Sequence, residues 1–207
     1  MSAREAILAR IRANLGKQGS PSAEQEAAPL LDYLARHPQG PRPQSNWPDL
    51  AARFAERAQA LGSSVDEISS LSELPPAVAH YLATHQLIRT GVCWPELAEL
   101  RWNEAGIELE SRPAVGTDLI GVTGAFCGIA ETGTLMLLSG AATPATASLL
   151  PETHIAVLPA SRIVKGMEEA WNLLRQEHGR LPRAVNFVSG PSRTASRRFL
   201  ERRMCRR

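Results

Sequence analysis

Cysteine is scarce in this 207-residue sequence, which has only three, and no two of them have metal-motif spacing. Cys93, Cys127 and Cys205 form no CxxC or CxxxC pattern, so neither an iron–sulfur cluster nor a structural zinc site is predicted. The five histidines form no HExxH pair. We therefore predict no metal and no cofactor bound by this chain itself.

Long apolar runs are also missing. No stretch of about 18 apolar residues occurs, so a membrane-spanning helix is not predicted. The first residues, MSAREAILARIRANLG, are charged and amphipathic and lack the apolar core of a signal peptide. These features predict a cytoplasmic protein without a membrane span.

The common nucleotide and nucleophile motifs are absent as well. The chain contains no GxxxxGKS/T, no GxGxxG and no GxSxG. Standard ATP, nicotinamide and serine-hydrolase sites are therefore not supported.

The charges divide the chain into a mildly acidic body and a basic tail. The first 192 residues hold 16 basic and 20 acidic residues, whereas the last fifteen hold seven arginines and one acid. Composition and periodicity predict three regions. These are an N-terminal helix and flexible linker (1–45), an α/β domain (46–194) and an atypical Arg-rich tail (195–207).

Helical and strand patterns alternate along the central region. Several predicted strands are continuous apolar runs, which is typical of a mostly parallel sheet with helices on both faces. The predicted helices cover 3–15, 30–36, 46–61, 71–84, 95–104 and 165–178. The predicted strands cover 64–68, 86–90, 107–110, 119–123, 134–138, 154–158 and 184–188.

The segment 116–140 holds six of the fifteen glycines. Glycine lets backbone approach a ligand closely, and Glu131 is a lone carboxylate where the pattern predicts burial. Glu131 has three uses that the sequence leaves open: a general acid or base, a nucleophilic carboxylate, or an acceptor for backbone N–H groups in the glycine turns.

A second candidate site is the loop Ser189–Thr194, which follows a predicted strand. Its backbone N–H groups, hydroxyls and Arg193 guanidinium form a set that binds anions. The alternative is an ordinary loop with a surface arginine.

Three ordered motifs resemble the LutC/YkgG family of lactate-utilisation proteins, the LUD domain. They are GTDLIGVTGAFCGIAETGTLMLLSG, SLLPETHIAVLPASRIV and NFVSGPSRT, within residues 112–194. The resemblance implies a three-layer fold similar to the NagB/RpiA/CoA-transferase superfamily. It also implies a role in oxidising L-lactate to pyruvate, with partners that carry iron–sulfur clusters.

These observations predict a cleft for a small carboxylate or anionic ligand, formed by the turns at 121–134 and the loop at 189–194. Glu131 is the predicted catalytic residue. The predicted ligand-binding residues are Gly121, Thr123, Gly124, Thr132, Gly133, Thr134, Ser189, Gly190, Ser192, Arg193 and Thr194.

Other functions stay open at this stage. The prediction favours a subunit of a lactate-oxidising complex over an independent enzyme. The alternatives are a non-catalytic assembly or regulatory subunit, or a stand-alone enzyme of the CoA-transferase or sugar-phosphate isomerase type. Whether the chain forms a homo-oligomer is also left open by the sequence. After Thr194 the sequence departs from the family pattern, as a frameshift near the codon for Ala195 would cause. The less favoured alternative is that this basic tail binds nucleic acid.

Overall fold

The computed structural model describes residues 3–16, 23–41 and 46–191, and the chain divides into two compact units, residues 1–45 and 46–207. In the first unit, helix α1 spans Ala3–Asn14 and helix α2 spans Ala23–Arg36. The helix predicted over 3–15 is confirmed. Helix α2 begins seven residues earlier than the predicted short helix and contains Pro29. The residues before Pro29, AEQEAA, are strong helix formers, and their propensity outweighs the cost of the proline.

The described part of the second unit contains eight strands and four α-helices. The strands are β1 (Thr90–Cys93), β2 (Glu108–Glu110), β3 (Ile120–Gly124), β4 (Cys127–Ile129), β5 (Thr134–Leu138), β6 (Thr153–Val157), β7 (Ile163–Val164) and β8 (Val185–Val188). The helices are α3 (Leu50–Ala60), α4 (Leu74–Thr84), α5 (Thr146–Leu149) and α6 (Met167–His178). Within the described ranges, no helix is long and apolar enough to cross a membrane.

The strands form two four-stranded sheets. The first has the order β2-β1-β3-β6 and is parallel throughout. The second has the order β7-β4-β5-β8, with β5 antiparallel to both neighbours and β7 parallel to β4. Most strand pairs are parallel, so the predicted α/β class is confirmed, although the strands belong to two sheets where the sequence indicated one.

Apolar side chains bury both faces of the first sheet. On one face, Val122 and neighbouring residues pack against Leu82 of α4. On the other face, Val92 and Trp94 pack against Leu137 of β5. The opposite face of the second sheet is covered by α6. This layering places the ends of β3, β5 and β8 within one compact unit.

Two predicted element boundaries were wrong, the start of one helix and the start of one strand. Helix α3 begins at Leu50, four residues after the predicted start at 46, because Asp49 caps it: the Asp49 carboxylate accepts the N–H groups of Ala51 (2.9 Å) and Ala52 (3.0 Å). The strand predicted over 86–90 begins only at Thr90. The preceding residues end α4, where Gln86 is left-handed (φ 54°) and the Leu87 N–H donates to the Leu82 carbonyl at 2.8 Å.

Other segments also differ from expectation. Residues 64–68 form no strand, and residues 95–104 form short 3-10 turns at Pro95–Leu97 and Asn103–Ala105 instead of one helix. Strand β4 lies inside the segment that the sequence predicted to be one glycine-rich turn. A three-residue strand is too short to leave a periodic pattern in the sequence.

Strands β4 and β5 are joined by a turn of residues 130–133, called the hairpin turn below. Its Gly133 has φ +66°, and a Cβ there would lie 2.6 Å from the Arg57 carbonyl carbon and 2.8 Å from the Arg57 Cβ. Both the left-handed conformation and the space against α3 therefore require glycine.

Replacing Gly133 with alanine should lower the free energy of unfolding by about 3 kcal/mol, because overpacking adds to backbone strain. Gly179→Ala is the matched control, since Gly179 has φ +57° but a Cβ at that position would meet no atom within 4 Å. Its loss should be about 1 kcal/mol, from strain alone. Urea unfolding of both variants measures the difference, and equal losses would contradict the close packing of α3 on the turn.

Candidate functional site

Glu131 lies in the hairpin turn. The turn is closed by the Gly133 N–H, which donates to the Ile129 carbonyl at 2.9 Å, and the Glu131 N–H donates to the Lys165 carbonyl at 3.0 Å. The residue is half-buried, less enclosed than the apolar sequence around it suggested. Its carboxylate has no hydrogen bond or ion pair with any residue that the structure describes, so it is available to a ligand.

Three hydroxyl groups form a directed chain beside the hairpin turn. Thr132 Oγ1 donates to Thr134 Oγ1 at 2.8 Å, and Thr134 Oγ1 donates to Ser189 Oγ at 3.1 Å. Thr134 is only 5% exposed, whereas Ser189 is exposed. Each hydroxyl has one proton, so within the described residues the Ser189 proton is the one left without an acceptor.

The C-terminal half of α3 packs against both predicted ligand segments. It contacts Gly133 through Arg57 and Ala58. Its last turn contacts Gly190, which has φ +72° and where a Cβ would lie 2.6 Å from the Leu61 carbonyl oxygen. The pairing of β5 with β8, with Leu135 opposite Val188, places the hairpin turn beside the loop after β8, and α3 packs against both.

The two glycines of β3 pack against other elements than the glycines near α3 do. A Cβ on Gly121 would overlap the carbonyl oxygen of Ala147 in α5, and a Cβ on Gly124 would overlap the carboxylate of Glu96. Both residues are buried. Their small size is therefore accounted for by packing, and ligand binding by these two glycines stays a prediction.

Thr123 is completely buried and bonded to a histidine. Its Oγ1 donates to the Gly124 carbonyl at 2.9 Å and lies 2.8 Å from His154 Nε2. Because the hydroxyl proton is already directed to the carbonyl, Oγ1 accepts from Nε2–H. This assigns the proton to Nε2 and leaves His154 Nδ1 with a free lone pair, with no partner within residues 46–191.

The predicted site residues thus form two groups. Thr132, Gly133, Thr134, Ser189 and Gly190 come together around the hairpin turn, with Glu131 in the same turn. Gly121, Thr123 and Gly124 lie on β3, and within the described part of the chain no hydrogen bond joins them to the first group. Ser192, Arg193 and Thr194 lie outside the described residues.

A sequence profile of the LUD domain matches residues 51–201, which is most of this chain. This chain belongs to the LUD domain family. The resemblance inferred from the three motifs is therefore confirmed. The match includes α3, the hairpin turn and β8, and it continues past Thr194 to residue 201.

Curated members of the LUD family give shorter alignments. The chain is 40% identical over 76 residues to a lactate utilization protein C from Anoxybacillus flavithermus, covering 37% of this chain and 34% of that protein. It is 37% identical over 79 residues to a lactate utilization protein C from Bacillus subtilis, covering 37% and 33%. These alignments span about a third of each relative's length.

A solved structure supports the same fold. A DUF162 family protein from Deinococcus radiodurans is similar to this LUD chain with a TM-score of 0.56 and 25% identity, covering 69% of this chain and 87% of that one. The α/β architecture described above is therefore shared with an experimentally determined relative.

Cys127 lies near the hairpin but has a packing role. It is fully buried, and its thiol contacts the Met136 sulfur at 3.7 Å. Burial raises the pKa of the Cys127 thiol to about 11, so little reactive thiolate forms near neutral pH. Among the described residues, no group of three or more His, Cys, Asp or Glu side chains could hold a metal ion.

Three residues that contact the predicted site residues are not among the predicted ones. Arg57 contacts Gly133, Glu96 covers Gly124, and His154 bonds Thr123. The first two are single charged residues in ordinary helical or turn sequence, so no local signal marks them. His154 had a weak signal, since it stands at the start of a buried strand, where a histidine needs a hydrogen-bond partner.

Acid should destabilise this LUD domain through His154. Burial lowers the pKa of His154 from 6.5 to about 4, so the unfolded chain binds more protons between those values. The free energy of unfolding should therefore fall by up to about 3 kcal/mol as the pH drops from 6.5 to 4.

Urea unfolding across that pH range measures the effect, with His154→Gln as the control. Glutamine does not titrate, and its amide can still donate to Thr123 Oγ1. The variant should lose less stability than the wild type between pH 6.5 and 4. Identical pH profiles would rule out a neutral, buried His154.

Proposed function

We propose that this chain is a component of an L-lactate oxidation system, in which it binds a small carboxylate or other anionic ligand at the hairpin turn. The observation that carries the ligand proposal is the directed hydroxyl chain from Thr132 to Ser189. It starts in the turn of Glu131, whose carboxylate has no partner among the described residues. The link to lactate is supported by the relatives named lactate utilization protein C.

The site combines groups that suit a 2-hydroxy acid. The Ser189 hydroxyl is positioned to donate to a ligand oxygen, and the Glu131 carboxylate has the chemistry to accept a proton from a ligand hydroxyl. Oxidation of lactate to pyruvate releases two electrons and two protons. Glu131 would take up the hydroxyl proton, as the acid–base group of the site, and the second proton would pass with the two electrons to the partner subunits.

The electrons need an acceptor outside this chain. The sequence has no cluster-type cysteine spacing and no flavin or nicotinamide motif. In this proposal the electrons pass to iron–sulfur clusters in partner subunits, and this chain contributes the ligand site. Cytoplasmic location is part of the same proposal.

Glu131→Gln should abolish lactate-dependent growth when it replaces the wild-type gene in the source organism. Glutamine preserves the shape of the side chain but cannot take up a proton at neutral pH. Because Glu131 has no partner among the described residues, the melting temperature should change little. Growth on lactate and the thermal unfolding of the purified variant are the two measurements.

The matched control is Glu108→Gln, which removes one exposed carboxylate from strand β2 at the edge of the first sheet. It should grow on lactate as the wild type does. Normal growth of the Glu131→Gln strain would exclude an acid–base role for Glu131.

A second role, docking on partner subunits, is favoured by the N-terminal unit. Four large side chains of α2 are more than half exposed: Leu30 (64%), Leu31 (63%), Tyr33 (58%) and Leu34 (62%). An exposed cluster of this kind on one helix is typical of a protein–protein contact.

Replacing Leu30 and Leu34 with glutamate should prevent copurification of the iron–sulfur partners while leaving ligand binding unchanged. The loss of apolar contact and the added charges both oppose docking. Affinity purification from the source organism, with the iron content of the eluate measured, tests this. Unchanged iron-containing partners in the variant would eliminate α2 as the docking helix.

A further inference from the structure

Arg57 is a half-buried cation without a partner among the described residues. Its Nε atom is buried and makes no hydrogen bond, and its guanidinium forms no ion pair with any described residue. A buried charge is costly unless it is paired. The arrangement around Arg57 is therefore incomplete in the described part of the chain.

A neighbouring arginine increases this cost. Arg53 lies one turn earlier on α3, and like charges at this spacing repel each other. Arg53 is partly neutralised, because it forms an ion pair with Glu56 at 2.8 Å and stacks over Trp47 at 5.0 Å. Arg57 has no comparable acid or ring among the described residues, so an external anion would relieve the excess positive charge.

The position of Arg57 connects it with the hydroxyl chain. Its Cβ and carbonyl carbon lie against Gly133, which stands between Thr132 and Thr134. The same helix contacts Gly190, the residue after Ser189. Arg57 is thus next to the turn that carries Glu131 and on the helix that holds both ligand segments.

The donors in this region fit an oxyanion. The Ser189 hydroxyl proton and the guanidinium N–H groups of Arg57 are all donors, and none has an acceptor among the described residues. Guanidinium binds carboxylate and phosphate oxygens in pairs, through a rigid planar fork. An acceptor group with two or three oxygens has enough lone pairs for both donors.

We propose that Arg57 binds the oxyanion group of the ligand at the hairpin turn, with Ser189 as the second donor. This inference rests on the proposed function, because it assigns a residue to the same ligand site. The ligand class is an oxyanion, carboxylate or phosphate.

The test is isothermal titration of the full-length protein with L-lactate, pyruvate and inorganic phosphate. Arg57→Gln should weaken binding of the preferred anion by at least about tenfold, since a charged hydrogen bond is lost. Arg57→Lys should be intermediate, because it retains the charge but not the planar fork. Comparison of the three anions distinguishes a carboxylate ligand from a phosphate ligand.

Arg183→Gln is the matched control. It removes one arginine just before β8, at the opposite end of that strand from Ser189, and the residue is exposed. It should bind the anion as the wild type does. Equal loss in Arg183→Gln and Arg57→Gln would indicate a nonspecific charge effect and would overturn the assignment.

Stability gives an independent readout. Removing an unpaired, half-buried cation should leave the melting temperature of Arg57→Gln unchanged or raise it, whereas a purely structural Arg57 would lower it. If wild-type protein binds an anion and Arg57→Gln binds it equally well, only the assignment of Arg57 fails. If wild-type protein binds none of the three anions, the ligand site of the proposed function fails as well.

Discussion

The close approach of helix α3 to the hairpin turn is the constraint on which the candidate site depends. Only glycine at position 133 allows this approach, because the turn is left-handed there and the backbone of Arg57 and Ala58 occupies the space of a side chain. The same helix contacts Gly190. These contacts add to the antiparallel pairing of β5 with β8, which sets Leu135 opposite Val188 and brings Thr134 within hydrogen-bond distance of Ser189.

The dense glycines between residues 116 and 140 have several separate physical roles. Gly121 and Gly124 allow α5 and Glu96 to pack on β3, whereas Gly133 allows the hairpin turn to meet α3. Gly128 on β4 faces Phe54 and Leu158. One glycine-rich segment therefore supplies close contacts to four different parts of the fold, and only its hairpin portion carries Glu131, whose carboxylate has no partner among the described residues.

Much of the fold could be predicted because its elements carry clear local patterns. Helix α6 has an apolar face and ends at a glycine, and β8 is an apolar run, so both were predicted within about two residues. Strand β4 and the late start of β1 were missed. Strand β4 is too short to show a periodic pattern in the sequence. The apolar residues before β1 form the C-terminal end of α4, where the Leu87 N–H donates to the Leu82 carbonyl.

The sequence by itself determined the family and the α/β class, because ordered motifs and hydrophobic periodicity are local properties of the chain. Only the tertiary structure decided that Thr134 meets Ser189, that His154 meets Thr123 and that Arg57 lies at Gly133. These contacts join residues distant in sequence. Their geometry depends on how closely helices and sheets pack, and no local pattern records that distance.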